Sequence, residues 1–253
     1  MSLHRFYLPP AHCQGPELIL ADEEAHHALQ VLRMIPGQRV AVLDGQGHEY
    51  HCEVRATDKH NVILRLLQRN SIPPLPYEVT LLQAVPKGKT MDSIIQKATE
   101  LGAYRVVPLL SERITLRLEE ETASTRTAKW RTTAIQALKQ CGSAWLTRVE
   151  TPITIRDCLG GNERFDLSLL ASLQPDSRHP RERFQAFLAE HHRLPRSLGV
   201  WVGPEGDFTP AEMHAITANG ALPISLGQLI LRSETAAIYS LSVVNYELQA
   251  PRA

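Results

Sequence analysis

Three prolines in four positions, Pro73, Pro74 and Pro76, divide this chain of 253 residues. Proline holds φ near about −65° and donates no backbone hydrogen bond, so such a density fits neither a helix interior nor a central strand. Ser71–Pro76 therefore reads as a linker, and the patterns on its two sides differ. The length suggests roughly one or two domains, each able to bury a core without disulfides.

Before the linker, short β-type runs alternate with turns. Arg39–Leu43 leads through Asp44-Gly45-Gln46-Gly47 into His48–Val54, and an Asp-Gly step between two such runs signals a hairpin. Asn61–Leu67 supplies a further strand, and Glu23–Met34 forms a short helix that ends before Pro36-Gly37. This side predicts a small, mostly β domain. After the linker, apolar strands alternate with helical stretches. The expected strands are Val79–Val85, Arg105–Leu110, Asp166–Ala171, Leu198–Val202 and Leu222–Leu226. The expected helices are Met91–Leu101, Ala123–Gln140, Pro180–His191, Pro210–Asn219 and Glu234–Gln249. That alternation predicts an α/β domain with a mostly parallel sheet covered on both faces.

Composition excludes several classes. Lys and Arg total 27 against 27 Asp and Glu, so the bulk positive charge usual for a nucleic-acid-binding domain is missing. The balance holds on both sides: residues 1–75 carry 7 basic and 8 acidic residues, leaving 20 and 19 for residues 76–253. No apolar run approaches the roughly 18 residues of a membrane helix. Met1–Phe6 contains no signal-peptide core, so a cytoplasmic location is expected. The four cysteines, Cys13, Cys52, Cys141 and Cys158, form no CxxC pair and suit a reducing compartment. Seven of the 11 histidines precede the linker, without the spacing of a metal site, and no metal is expected.

Three segments carry chemistry. In Trp201–Glu212 a buried strand enters a Gly203-Pro204-Glu205-Gly206 turn and then a helix start, with Thr209 as N-cap, Pro210 in the first turn and Glu212 closing a capping box. Loops at the carboxyl ends of parallel strands are where ligands bind; a plain strand-to-helix connection would look the same. In Ile224–Ala237 a strand ends near Leu226-Gly227, and a helix opens at Ser233-Glu234 with Arg232 just before it. A helix start favours anions, although Arg232 also suits a surface cation or a partner of Glu205, and Ser233 and Glu234 suit caps. In Gln83–Gly102, Lys87 and Lys89 follow a strand and suit phosphate contacts. Lys97 and Glu100 suit a pair on one solvated helix turn.

Taken together and in this order, these segments resemble the ribosomal RNA small subunit methyltransferase E family of the SPOUT methyltransferases. The matching residues are Gln83–Lys89 with Lys97–Gly102, Gly203–Gly206, and Leu226-Gly227 with Ile230–Thr235. Before the linker, Arg5-Phe6, His26-His27, Val31–Met34 and Val42–Gly45 are similar to the family's PUA-like RNA-binding β-barrel. The resemblance implies a PUA-like domain over residues 1–72 and a SPOUT methyltransferase domain over 73–253, with a C-terminal trefoil knot and a homodimer. Knots are exceptions to ordinary chain topology and no periodicity would suggest one. It implies S-adenosylmethionine as cofactor, held by Leu170, Ala171, Val202, Gly203, Pro204, Gly206, Leu226, Gly227 and Leu231. The implied reaction is methyl transfer to N3 of a uridine in small-subunit ribosomal RNA, as free RNA or within the subunit. For that reaction Arg232 is expected to stabilise charge on the base or an adjacent phosphate, with Glu205 or Glu234 orienting it or taking the proton. Arg33, Lys87 and Lys89 are the expected RNA contacts.

The chain departs from the family at three points. Members commonly carry arginine where this chain has Ser143 and Leu229, and glycine where it has Asp207. Two cations fewer and one anion more reduce attraction for RNA phosphate. A SPOUT enzyme with another RNA target, or an RNA-binding or ribosome-assembly protein without catalysis, are the alternatives.

Overall fold

The computed structural model describes residues 3–113, 120–161 and 163–249; the Met1-Ser2 start of the N-terminal reading lies outside them. The chain forms two compact units, one of Met1–Pro74 with Ile135–Leu146, the other of Leu75–Ala134 with Thr147–Ala253.

The first unit is built on a five-stranded sheet in the order β1-β3-β4-β5-β2. Its strands are β1 (His4–Tyr7), β2 (Glu17–Leu20), β3 (Arg39–Leu43), β4 (His48–Thr57) and β5 (Val62–Ser71). The pairings are antiparallel except β1 with β3. Register shifts at His51/Cys52 and Val54/Ala56 mark irregularities of the bulge kind, which bend and curl a sheet. The expected hairpin is present: Asp44 Oδ1 accepts the Gln46 and His48 backbone N–H groups at 2.8 and 3.1 Å. Phe6, Leu18, Leu20, Val40, Val42, Cys52, Val54, Val62 and Leu64 alternate inward to form the core; each such side chain contributes about 1.5–3 kcal/mol on burial.

Three details differ from the expected elements. The helix is shorter: α1 (Asp22–His26) passes into a π-turn over His27–Val31 and stops before Arg33, whose φ of 51° is left-handed. β5 runs on to Ser71, so the linker begins at Ile72. Ile135–Leu146 belongs to this unit through contacts distant in sequence. Arg5 donates to the Gln140 carbonyl at 3.4 Å and lies against Gly142, where an added Cβ would stand 2.7 Å from its Cζ.

The second unit is a seven-stranded sheet in the order β12-β10-β11-β6-β7-β8, with β9 also on β7, and every pairing is parallel. The strands are β6 (Glu78–Ala84), β7 (Arg105–Leu110), β8 (Arg148–Val149), β9 (Ile153–Thr154), β10 (Leu167–Ala171), β11 (Ser197–Val202) and β12 (Leu222–Ile224). The helices are α2 (Thr90–Glu100), α3 (Glu120–Cys141, whose part from Ile135 onward belongs to the first unit), α4 (Ile155–Gly160), α5 (Pro180–His191), α6 (Pro210–Ala218) and α7 (Ser233–Gln249). α7 packs on α2, α5, β6 and β11. Elsewhere Leu82, Leu109, Leu170, Trp201, Phe208 and Ile216 form a buried cluster with Ile155. Strands covered on both faces read as continuous apolar runs, which is why Leu198–Val202 and Leu169-Leu170 were legible as strands. Two-residue β8 and β9 carry too little pattern to read. Among the described residues, no helix is long and apolar enough to cross a membrane.

Candidate active site

The carboxyl ends of β10, β11 and β12 open into one cleft. Ala171–Leu173 line it from β10, Val202–Glu205 and Asp207 from β11, and Leu226, Gly227 and Leu229–Leu231 from the segment after β12. Ser233 and Ala236 close it from the first turn of α7.

The β11 side is held by a hydrogen-bonded relay. Ser233 Oγ donates to the Gly203 carbonyl at 2.7 Å and accepts from Gln83 Nε2 at 2.9 Å. Gln83 Nε2 also donates to the Ala84 carbonyl at 2.8 Å. Gln83 is fully buried on β6 beside Val202, and its Oε1 has no partner among the described residues. Ser233 is buried and clamps a carbonyl instead of capping its helix; the Arg232 carbonyl accepts the Ala236 N–H at 2.8 Å in that turn.

Beyond Gly203 the turn is tied on several sides. Glu205 Oε1 accepts the Lys87 backbone N–H at 3.1 Å, joining the loop after β6 to the loop after β11. Arg113 donates to the Gly206 carbonyl. The predicted capping box forms: Thr209 Oγ1 accepts the Glu212 N–H at 3.2 Å, and Glu212 Oε2 accepts the Thr209 N–H at 2.8 Å. Glu212 is buried, and it also accepts from the Glu112 N–H at 2.8 Å and Ser111 Oγ at 3.1 Å. One carboxylate thus secures the start of α6 and the loop after β7.

Seven of the nine expected cofactor residues, Ala171, Val202, Gly203, Pro204, Leu226, Gly227 and Leu231, come together around the cleft. Leu170 lies one residue behind, fully buried in the core, and Gly206 is exposed outside the lining. Glu205 is at the rim. Arg232 and Glu234 flank Ser233; Arg232 is exposed, and its guanidinium makes no hydrogen bond or ion pair among the described residues. Arg232 is therefore not the partner of Glu205. Lys97 and Glu100 do pair, at 2.8 Å. Lys87 and Lys89 are exposed beside the Glu205 contact, and Arg33 is exposed in the first unit. Sequence reasoning did not place Ser172, Leu173, Asp207, Ser233 or Ala236 in the lining. Ser233 was visible as a helix-start residue, but its carbonyl partner is 30 residues away.

A parallel sheet with a glycine-containing cleft at its carboxyl ends marks an α/β ligand-binding domain. Residues 73–245 match the RNA methyltransferase domain, and residues 20–67 match the RNA methyltransferase PUA domain. The ribosomal RNA small subunit methyltransferase E of Bacillus subtilis is 30% identical, over 94% of this chain and 93% of its own. The structure of the same enzyme from Neisseria gonorrhoeae, bound to S-adenosyl methionine, is 28% identical, covering 96% of this chain and 97% of that one with a TM-score of 0.82. The Legionella pneumophila protein Lpg2936, in complex with the bound cofactor SAM, is also 28% identical, covering 96% and 97% with a TM-score of 0.86. The chain belongs to the ribosomal RNA small subunit methyltransferase E family.

Proposed function

We propose that this protein transfers the methyl group of S-adenosylmethionine to N3 of a uridine in small-subunit ribosomal RNA. The carrying observation is the cleft that gathers the Gly203, Leu226 and Ser233 segments at the sheet's carboxyl ends, in a chain of this family. Its lining suits the cofactor. Val202, Leu226, Leu229, Ile230 and Leu231 offer apolar surface for an adenine ring, and the turn after β11 offers backbone polar groups. A Cβ on Gly203 would stand 2.9 Å from Asp207 Oδ1 and 3.2 Å from the Phe208 nitrogen, so glycine lets the turn close tightly on itself there.

When bound, the cofactor supplies an already activated methyl group, and what the protein contributes is alignment and charge stabilisation. Uracil N3 must give up its proton, which leaves negative charge on the base. Arg232, exposed and unpaired among the described residues at the start of α7, is the group we assign to that charge. Glu205 is fixed through one carboxylate oxygen to the Lys87 N–H; Glu205 or Glu234 takes the proton or orients Arg232. Arg33, Lys87 and Lys89 contact RNA phosphate. Functionally, residues 1–72 act as the RNA-binding domain and 73–253 as the catalytic domain, with the knot of the SPOUT fold in the latter. The protein works in the cytoplasm as a homodimer; Leu229, Ile230, Tyr239 and Tyr246 leave apolar surface for a second copy, being 77%, 83%, 46% and 66% exposed.

Nucleoside mass spectrometry of small-subunit ribosomal RNA tests this reading. A strain lacking the gene is expected to lose one 3-methyluridine, restored by the wild-type gene. Unchanged 3-methyluridine would direct the reading to another RNA target.

A further inference from the structure

Among the described residues, the cleft lining contains two carboxylates, Glu205 and Asp207, and no lysine, arginine or histidine. The two differ in how they are held. Glu205 is exposed and accepts the Lys87 N–H. Asp207 is partly buried in a left-handed conformation with φ of 61°, which strains a residue bearing a Cβ. Its Oδ1 accepts its neighbour's N–H, from Phe208 at 2.8 Å, the kind of local bond that lets aspartate occupy this region. Oδ2 has no hydrogen bond or ion pair among the described residues. Arg113 bears on this carboxylate, yet it donates to the Gly206 carbonyl and lines the adjoining cavity without forming an ion pair to Asp207. Burial pushes the Asp207 carboxyl above its ordinary range. The protein thus maintains a partly desolvated, strained anion in a cleft wall whose described residues include no cation.

We infer that Asp207 is a specificity residue that biases this cleft toward the positively charged methyl donor over its demethylated product. The inference rests on the S-adenosylmethionine reading of the cleft. The donor carries a sulfonium and an ammonium against one carboxylate, a net charge of one positive. Transfer of the methyl group to the base returns the carbon–sulfur bonding pair to sulfur, and the resulting thioether is neutral. Donor and product otherwise share every group, so a fixed anion separates them by charge alone. Coulomb attraction at a partly desolvated wall is screened less than at an open surface. The same bias favours release of product once its charge is gone.

Titration calorimetry of the full chain with S-adenosylmethionine and with S-adenosylhomocysteine tests this. Asp207→Asn removes the charge and keeps the shape. Asp207→Gly removes the charge and also relieves the backbone, so a folding failure of one variant does not end the test. In both variants the ratio of donor affinity to product affinity is expected to fall about tenfold, through the donor term, with product affinity within about twofold of wild type. Raising salt should shrink the wild-type ratio more than that of the variants. Equal changes for both compounds, or an unchanged ratio, overturn the assignment while leaving the cofactor reading intact. A wild-type protein that binds neither compound overturns both.

Discussion

Two loops face each other across the cleft, and they are built in opposite ways. The one after β11 is tied down: Gly203 by Ser233, Glu205 by the Lys87 amide, Gly206 by Arg113, and the helix start behind it by Glu212. The one after β12 has few side-chain ties; Ser225 Oγ accepts the Gly227 N–H at 3.3 Å, while Leu229 and Ile230 are largely exposed. Local stability follows burial and hydrogen bonding, so the first loop belongs to the rigid frame and the second to the adaptable part. The lesson is a division of labour. A reaction governed by in-line placement needs one fixed wall, and a large cofactor entering from solvent needs a wall that can adjust.

The largest effect should come from the start of α7, just after the second loop. Arg232→Ala is expected to lower methyl transfer by about 100-fold or more, as loss of a preorganised charge stabiliser does, while S-adenosylmethionine binding by calorimetry stays near wild type. Full activity in that variant would remove Arg232 from the mechanism. Next, Ser233→Ala should unfasten the fixed loop. It leaves the Gly203 carbonyl and the Gln83 amide without their shared partner, at a cost of about 1–3 kcal/mol in a denaturant titration, and should weaken cofactor binding as well. Glu212→Ala breaks the capping box and two further bonds, and a loss of about 2 kcal/mol is expected.

The contrast should then reverse for the second loop. Ile230→Ser is expected to change stability by less than about 0.5 kcal/mol, as exposed substitutions do, yet to weaken cofactor binding and self-association in sedimentation. A stability loss as large as that of Ser233→Ala would erase the distinction. The smallest effect on ligand binding is expected at the opposite end of the sheet. There Arg193 and the Arg196 N–H hold the Asp166 carboxyl well below the usual carboxylate range. A depressed acid stabilises the fold above its unfolded pKa, and this contribution fades as pH falls through that value toward the folded one. Both partners remain solvent-accessible, so Asp166→Asn should cost below about 1 kcal/mol near neutral pH and leave ligand binding unchanged.

The legible parts of this molecule were those whose signals are local. The prolines, the Asp44-Gly45 hairpin, the Thr209–Glu212 capping box and the apolar strands of the parallel sheet each fit within a few residues. What escaped depended on partners far along the chain. β1 is four residues long and exists because β3 lies beside it in parallel. Ile135–Leu146 continues a helix of the second unit, and only its contacts with residues such as Arg5 and Gly47 reveal which unit holds it. In the cleft, the glycines and Arg232 stood out by their sequence neighbours, whereas the Gln83–Ser233–Gly203 relay spans 150 residues. Asp207 attracted notice as an added anion, but its left-handed backbone and its place in the wall are tertiary facts.

The central claim is that this cleft methylates a uridine at N3, and one assay addresses it directly. Small ribosomal subunits and their naked RNA, both from cells lacking the gene, are incubated with the purified protein and methyl-labelled S-adenosylmethionine, and the nucleosides are separated. The account predicts label in 3-methyluridine at a single position in at least one of the two substrates, and none with the Arg232→Ala protein. Label in another nucleoside, or equal labelling by the wild-type and Arg232→Ala proteins, would contradict it.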